Sequence, residues 1–171
     1  MNANLEDHAT NGIPSLAGKY LAFLLGCGSY GLPVLKVREI IRLVEITSIP
    51  HTPACIKGVI NLRGKVIPVV DLRVKFNLTA GEFTQSTCII VGQVSRPSGP
   101  ATHVGFIVDG VEEVINLTLD YLEKTPDFGM KLATDYLLGI ANIKGRIIAL
   151  LDIDQVVDNG SLRTLNEPVA A

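Results

Sequence analysis

Four groups of residues in this 171-residue chain have types and spacings that could do chemistry. Gly26-Cys27-Gly28-Ser29-Tyr30-Gly31 fits G-x-G-x-x-G, the turn that presents pyrophosphate to a helix N-terminus in dinucleotide-binding folds. Leu32-Pro33-Val34 follows, which starts a helix badly, and only Gly31 recurs in a second copy of the pattern. A structural turn accounts for these glycines better than a nucleotide does. The second group is Cys27, Cys55 and Cys88 with His8, His51 and His103. It contains no C-x-x-C, and only His51 and Cys55 lie close together, so no metal site is expected. Asp71 and Asp152, the third group, could be two catalytic acids. Each follows an apolar run and precedes a short helical stretch, where capping a helix is the simpler task. The fourth group, Arg63 and Lys144, are cations at hairpin tips, either solvated turn residues or exposed docking contacts. No Cys or Ser stands in an activated context. The chain reads as a binding module rather than an enzyme, with no cofactor expected.

The elements that carry these residues are duplicated. Ile56–Phe76, IKGVINLRGKVIPVVDLRVKF, lies on Leu137–Val157, LLGIANIKGRIIALLDIDQVV, at a shift of 81. Gly58/Gly139, Asn61/Asn142, Gly64/Gly145, Ile67/Ile148 and Asp71/Asp152 are identical, and Arg63/Lys144 and Lys65/Arg146 keep their charge. In each copy two β-rich runs, Ile56–Ile60 and Lys65–Val70 in the first, flank Asn-x-x-Gly, which predicts a four-residue hairpin connection with Gly64 at positive φ. Upstream, a second correspondence at a shift of 74 matches Gly31/Gly105, Val37/Val111, Glu39/Glu113 and Ile40/Val114. The difference places seven extra residues within Asn116–Thr134.

Tyr20–Leu25, Cys88–Val91 and His103–Val108 are further strand candidates, and Asp109-Gly110 is a turn signal. Each half then supplies about five short strands, enough for a small barrel. The expected fold is all-β: two five-stranded barrels side by side with pseudo-two-fold symmetry. Val37, Ile40, Val111 and Val114 are equivalent in the two halves. They are either plain core or an apolar groove at the seam, rimmed by Glu39 and Glu113 and suited to a partner helix.

Composition narrows the choice. With 47% hydrophobic residues the chain is not disordered, and no apolar run reaches the roughly 18 residues of a membrane span. Three widely spaced cysteines fit reduced thiols in a cytoplasm. A net charge of −2, no Lys/Arg cluster and no Trp argue against nucleic acid.

The unbroken stretches Val37-Arg38-Glu39-Ile40, Lys57-Gly58-Val59-Ile60-Asn61-Leu62-Arg63-Gly64 and Pro68-Val69-Val70-Asp71-Leu72-Arg73 closely resemble the CheW family of chemotaxis coupling proteins. The likeness covers about Lys19–Val157. It implies two intertwined SH3-like barrels, about 19–86 and 87–157, with an N-terminal tail (1–18) and a C-terminal tail (158–171). It also implies a non-catalytic cytoplasmic adaptor at membrane-bound arrays, coupling chemoreceptors to the histidine kinase CheA. Receptor contacts would fall on Val37, Glu39, Ile40, Arg63, Val111 and Val114, and kinase contacts on Lys57 and Gly58. Phe128, in the inserted loop, resembles a residue of a second contact that closes arrays into rings, and other CheW-like molecules are possible neighbours. The alternative is a CheW-like module of a pilus-motility or second-messenger pathway.

Overall fold

The computed structural model describes residues 16–78, 81–95, 99–123 and 136–158. The tails therefore lie outside the described residues except for 16–18 and 158, as does Phe128. The all-β expectation is borne out. β1 (Gly18–Leu25) and β2 (Gly28–Pro33) form a hairpin, and a 3-10 turn at Val34–Lys36 leads into β3 (Val37–Arg42). β4 (Ile56–Leu62), β5 (Lys65–Asp71) and α1 (Leu72–Lys75) complete the first half. The second half runs β6 (Cys88–Val94), β7 (Thr102–Val108), β8 (Gly110–Leu117), the two-residue β9 (Leu122–Glu123), β10 (Leu137–Ile143), β11 (Arg146–Leu151) and α2 (Ile153–Asp158).

The strands do not sort into sheets by halves. One sheet has the order β3-β6-β7-β5-β4, the other β8-β1-β2-β11-β10-β9. Each half lends its first hairpin to the other, so the divide expected near residues 86 and 87 is not where the sheets part. The repeat is nevertheless faithful down to register. Val69 pairs with Gly105 in the parallel β5–β7 ladder, as Leu150 pairs with Gly31 in β11–β2. A Cβ at Gly105 would meet Ile89 Cγ2 at 2.8 Å and one at Gly31 would meet Leu150 Cδ2 at 3.1 Å. That close approach explains why this glycine recurs.

The turn signal at Asp109-Gly110 does not close a hairpin. In the structure one residue, Asp109, separates β7 from β8, whereas a hairpin needs about two. The chain therefore crosses to the other sheet. The Asn-x-x-Gly connection is also tighter than four residues. Leu62 pairs with Lys65, leaving a two-residue loop with φ of 49° at Arg63 and 87° at Gly64. Two positive φ values make a type I′ turn, whose twist suits flanking strands. Asn61 Oδ1 accepts from Gly64 N at 2.9 Å, and Asn142 repeats the bond to Gly145 N at 3.1 Å.

One sheet has six strands where five were expected, and the extra strand has a simple origin. Thr47 and Val59 exchange backbone hydrogen bonds of 2.9 Å, tying the chain beyond β3 to the opposite edge of its sheet. In the other half Glu123 pairs with Ile140, the counterpart of Val59, over enough residues to count as β9. Both tie-backs curl the sheets toward closure.

The core has three layers. Ile60, Ile67, Val69, Ile89, Val91 and Ile107 fill the first barrel. Tyr20, Leu117, Leu122, Ala141, Ile148 and Leu150 fill the second. Between the two sheets lies a larger cluster that includes Phe23, Leu32, Val70, Ile90, Phe106 and Leu151. Successive residues such as Val69 and Val70, or Leu150 and Leu151, face different layers. Strands buried on both faces read as continuous apolar runs, which is why β1, β6 and β7 show no alternation.

Candidate functional site

β3 and β8 are equivalent, and each is the terminal strand of its sheet. Val37 on β3 and Val111 on β8 are half-buried and pack on the cluster between the sheets. Three residues further along, Ile40 and Val114 are 44% and 56% exposed. The two readings of this set therefore divide between the pairs: the valines 37 and 111 are anchored in core, while Ile40 and Val114 are open. Both strands carry irregular register next to Val37 and Val111, between Val37 and Glu39 on β3 and opposite Leu21–Phe23 on β8. A bulge there twists a terminal strand and keeps it from pairing indiscriminately.

Acid–base pairs flank both strands. Arg63 donates from Nη2 to Glu39 Oε1. The Glu39 carboxylate, first as hydrogen-bond acceptor and then as a charge, holds the Arg63 guanidinium above its ordinary value. In the other half Arg146 pairs with Glu112 and, at 3.6 Å, with Glu113, the counterpart of Glu39. Sequence reasoning named Glu39, Glu113 and Arg63 but missed Arg146; its alignment with Lys65 was the available signal. Arg63 is 70% exposed, and exposed pairs add little to stability. Its backbone also sits at a φ where Asn or Gly is favoured.

The two residues expected at a kinase contact separate clearly. Lys57 is exposed on β4. Gly58 is buried, with φ of 143°, and a Cβ on it would lie 2.0 Å from the Thr47 carbonyl oxygen. It sits where the barrel closes, at a register shift in β4.

The duplicated acids both act as helix caps. Asp71 Oδ1 accepts from Arg73 N at 3.0 Å and Asp152 Oδ1 accepts from Asp154 N at 3.1 Å. Burial pushes the Asp152 carboxyl up, with the Asp154 charge adding and the Gln155 and Asp154 N–H donors and Lys36 pulling back. A raised folded-state value means the folded protein holds this proton more tightly than the unfolded chain. The associated stability is fully present below the unfolded value, about 3.9, and is lost as pH rises through the folded one. Asp152→Asn keeps an acceptor for the cap. Relative to wild type the variant should therefore gain stability from about pH 4 upward, as read by denaturant midpoints at several pH values. A stability difference independent of pH would sink this assignment.

Sequence reasoning also missed a buried ionic cluster. Arg73 is 3% exposed and Asp71 0%. The guanidinium makes two 3.2 Å contacts with the Asp71 carboxylate, from Nε and Nη2. Its Nη1 donates to Gly81 O at 3.0 Å and to Asp109 Oδ1 at 3.2 Å. The Phe83 ring lies 5.0 Å from its Cζ.

This arrangement of exchanged hairpins has a match among known proteins. The CheW-like domain family matches residues 19–160. The chain belongs to that family. It is 38% identical over 152 residues to chemotaxis protein CheW of Klebsiella aerogenes, covering 86% of this chain and 89% of that one. Its identity to chemotaxis protein CheW of Rhizobium meliloti is 35%, over 90% of this chain and 93% of that one. The crystal structure of scaffolding protein TtCheW from Thermoanaerobacter tengcongensis superposes with a TM-score of 0.75 at 32% identity, covering 85% of this chain and 96% of that one. The two SH3-like subdomains are those of this scaffold fold, and a chemotaxis adaptor role follows from family membership. Among the described residues, no helix is long and apolar enough to cross a membrane.

Proposed function

We propose that this CheW-like chain couples the cytoplasmic tip of a chemoreceptor to the histidine kinase CheA, working within the 19–157 unit in the cytoplasm at receptor arrays. The observation that carries the reading is the repeated edge strand. β3 and β8 each present one valine rooted in the inter-sheet core, one exposed aliphatic residue and an acid engaged by a basic side chain. Ile40, Val114 and the aliphatic parts of Val37 and Val111 would receive the apolar stripe of a receptor helix, with Glu39 and Arg63 setting its register by charge. Lys57 belongs to the kinase-facing surface. Gly58 acts there by shaping β4, and Phe128 is proposed for the ring-closing contact on the family likeness alone. The arrangement offers a surface for noncovalent bridging rather than catalysis.

Ile40→Asp is the informative substitution, because Ile40 is exposed whereas Val37 is rooted in core. With a receptor cytoplasmic fragment and CheA presented separately, Ile40→Asp should lose receptor binding by about tenfold or more while kinase binding and the circular dichroism spectrum persist. Receptor affinity unchanged by both Ile40→Asp and Arg63→Ala would refute the site. Binding of neither partner by wild type would favour a different kinase pathway, such as pilus motility or second-messenger control.

A further inference from the structure

Each short helix fastens the chain where it leaves a barrel. Arg73 in α1 and Asp154 in α2 are equivalents across the 81-residue shift, and their charges are opposite. Arg73 engages Asp109, the single residue between β7 and β8. Asp109 Oδ2 in turn accepts from Gly26 N at 2.6 Å, in the β1–β2 turn. In the other half Asp154 Oδ2 accepts from Lys36 Nζ at 2.9 Å, and Lys36 ends the 3-10 turn between β2 and β3. Asp154 Oδ1 accepts from Ser95 N at 2.8 Å, just past β6, and Lys36 Nζ also donates to Ser95 Oγ at 3.1 Å. The two halves therefore solve one mechanical problem with the signs exchanged. In each, a carboxylate holds both a cation and a backbone N–H from the end of an exchanged hairpin strand.

The two clamps differ in strength. In the Arg73 clamp Asp109 is 29% exposed, but the guanidinium is only 3% exposed and is cross-braced by Asp71 and the Gly81 carbonyl. In the Lys36 clamp the side chains are 31% and 29% exposed, so water and salt reach it. We propose that the Lys36–Asp154–Ser95 clamp is a releasable lock on the β2–β3 crossover, setting the angle between the two barrels. The Arg73–Asp109 clamp keeps the other crossover fixed. Release lets the barrels swivel about Val34–Lys36, and β3 begins at the next residue. This holds whichever partners the chain serves.

Pulsed electron–electron double resonance on the full chain tests it. Cys27, Cys55 and Cys88 would be replaced by Ala and spin labels attached at Lys65→Cys on β5 and Asn116→Cys on β8, both exposed. In about 0.1 M NaCl the parent should give a narrow distance distribution, and in about 1 M NaCl, where the screening length falls to about 3 Å, one about twice as wide. Lys36→Met should give the wide distribution at both salt concentrations and Lys36→Arg the narrow one at low salt. Because the salt comparison uses the parent protein, it stands even if a variant folds poorly. The lock is overturned if the parent distribution ignores salt, or if Lys36→Met matches the parent at low salt.

Discussion

Replacing Arg73 with methionine should destabilise the protein by about 3–5 kcal/mol, measured by chemical denaturation at neutral pH. The physical reason is the carboxylate left behind. Asp71 is fully buried, and without the guanidinium it would keep a charge in the core with the Arg73 backbone N–H as a remaining donor. Asp109 and the Gly81 carbonyl would lose their contacts at the same time. Arg73→Lys should recover only part of the loss, because a point-like ammonium cannot reproduce the two-pronged contact with Asp71. Asp71→Asn combined with Arg73→Met should cost less than the separate losses added together, since the stranded charge is gone. A loss under about 1 kcal/mol for Arg73→Met would show that the cluster is solvated or dispensable.

Gly58→Ala should be at least as damaging, by about 4 kcal/mol or more, enough to abolish the cooperative thermal transition in a marginally stable domain. Two penalties combine at one position. Alanine pays for a φ of 143°, and its Cβ would sit 2.0 Å from the Thr47 carbonyl oxygen. That obstacle is backbone, and Thr47 is bonded to Val59 in both directions, so it cannot step aside without opening the barrel. Lys57→Ala, one residue away on an exposed side chain, should change stability by less than about 0.5 kcal/mol. Lost kinase binding in a Gly58 variant would then report a broken barrel, whereas the same loss in the Lys57 variant would report a contact. A Gly58→Ala protein that melts near the wild-type temperature would refute the steric account.

The duplication was legible because turn residues and apolar positions repeat together. Asn61/Asn142 and Gly64/Gly145 encode the turn bond directly, and Asp71/Asp152 encode the caps. The family likeness implied intertwined barrels, but the residue pattern did not show which hairpins are exchanged. A strand's pattern of apolar residues states which faces are buried, not which neighbour buries them, and β1 reads the same in either barrel. The one local clue was the length of the β7–β8 link, since Asp109 alone cannot reverse the chain. In the candidate site, the likeness between halves picked out Val37, Ile40, Val111 and Val114, but only burial separates the rooted pair from the open pair. The Arg73 cluster stayed hidden because its members, Asp71, Arg73 and Asp109, are joined by folding and not by spacing. The clamp at Lys36 was hidden further by its reversed charges, which conceal an equivalence that conserved residue types would have advertised.

The lending of hairpins also dictates an order of events during synthesis. The five strands of the first barrel are β3 to β7, so that barrel can close once Val108 has emerged. β1 meets β8 soon afterwards, but β2, made early, waits for β11, because Gly31 pairs with Leu150. At about 5–20 residues per second the wait is on the order of ten seconds. Throughout it, the β2 edge of the hairpin, where Gly31 and Leu32 end up buried, stands without its final neighbour. Shielding of that edge on the nascent chain, by a chaperone or by transient docking on the finished barrel, should raise the yield of folded protein.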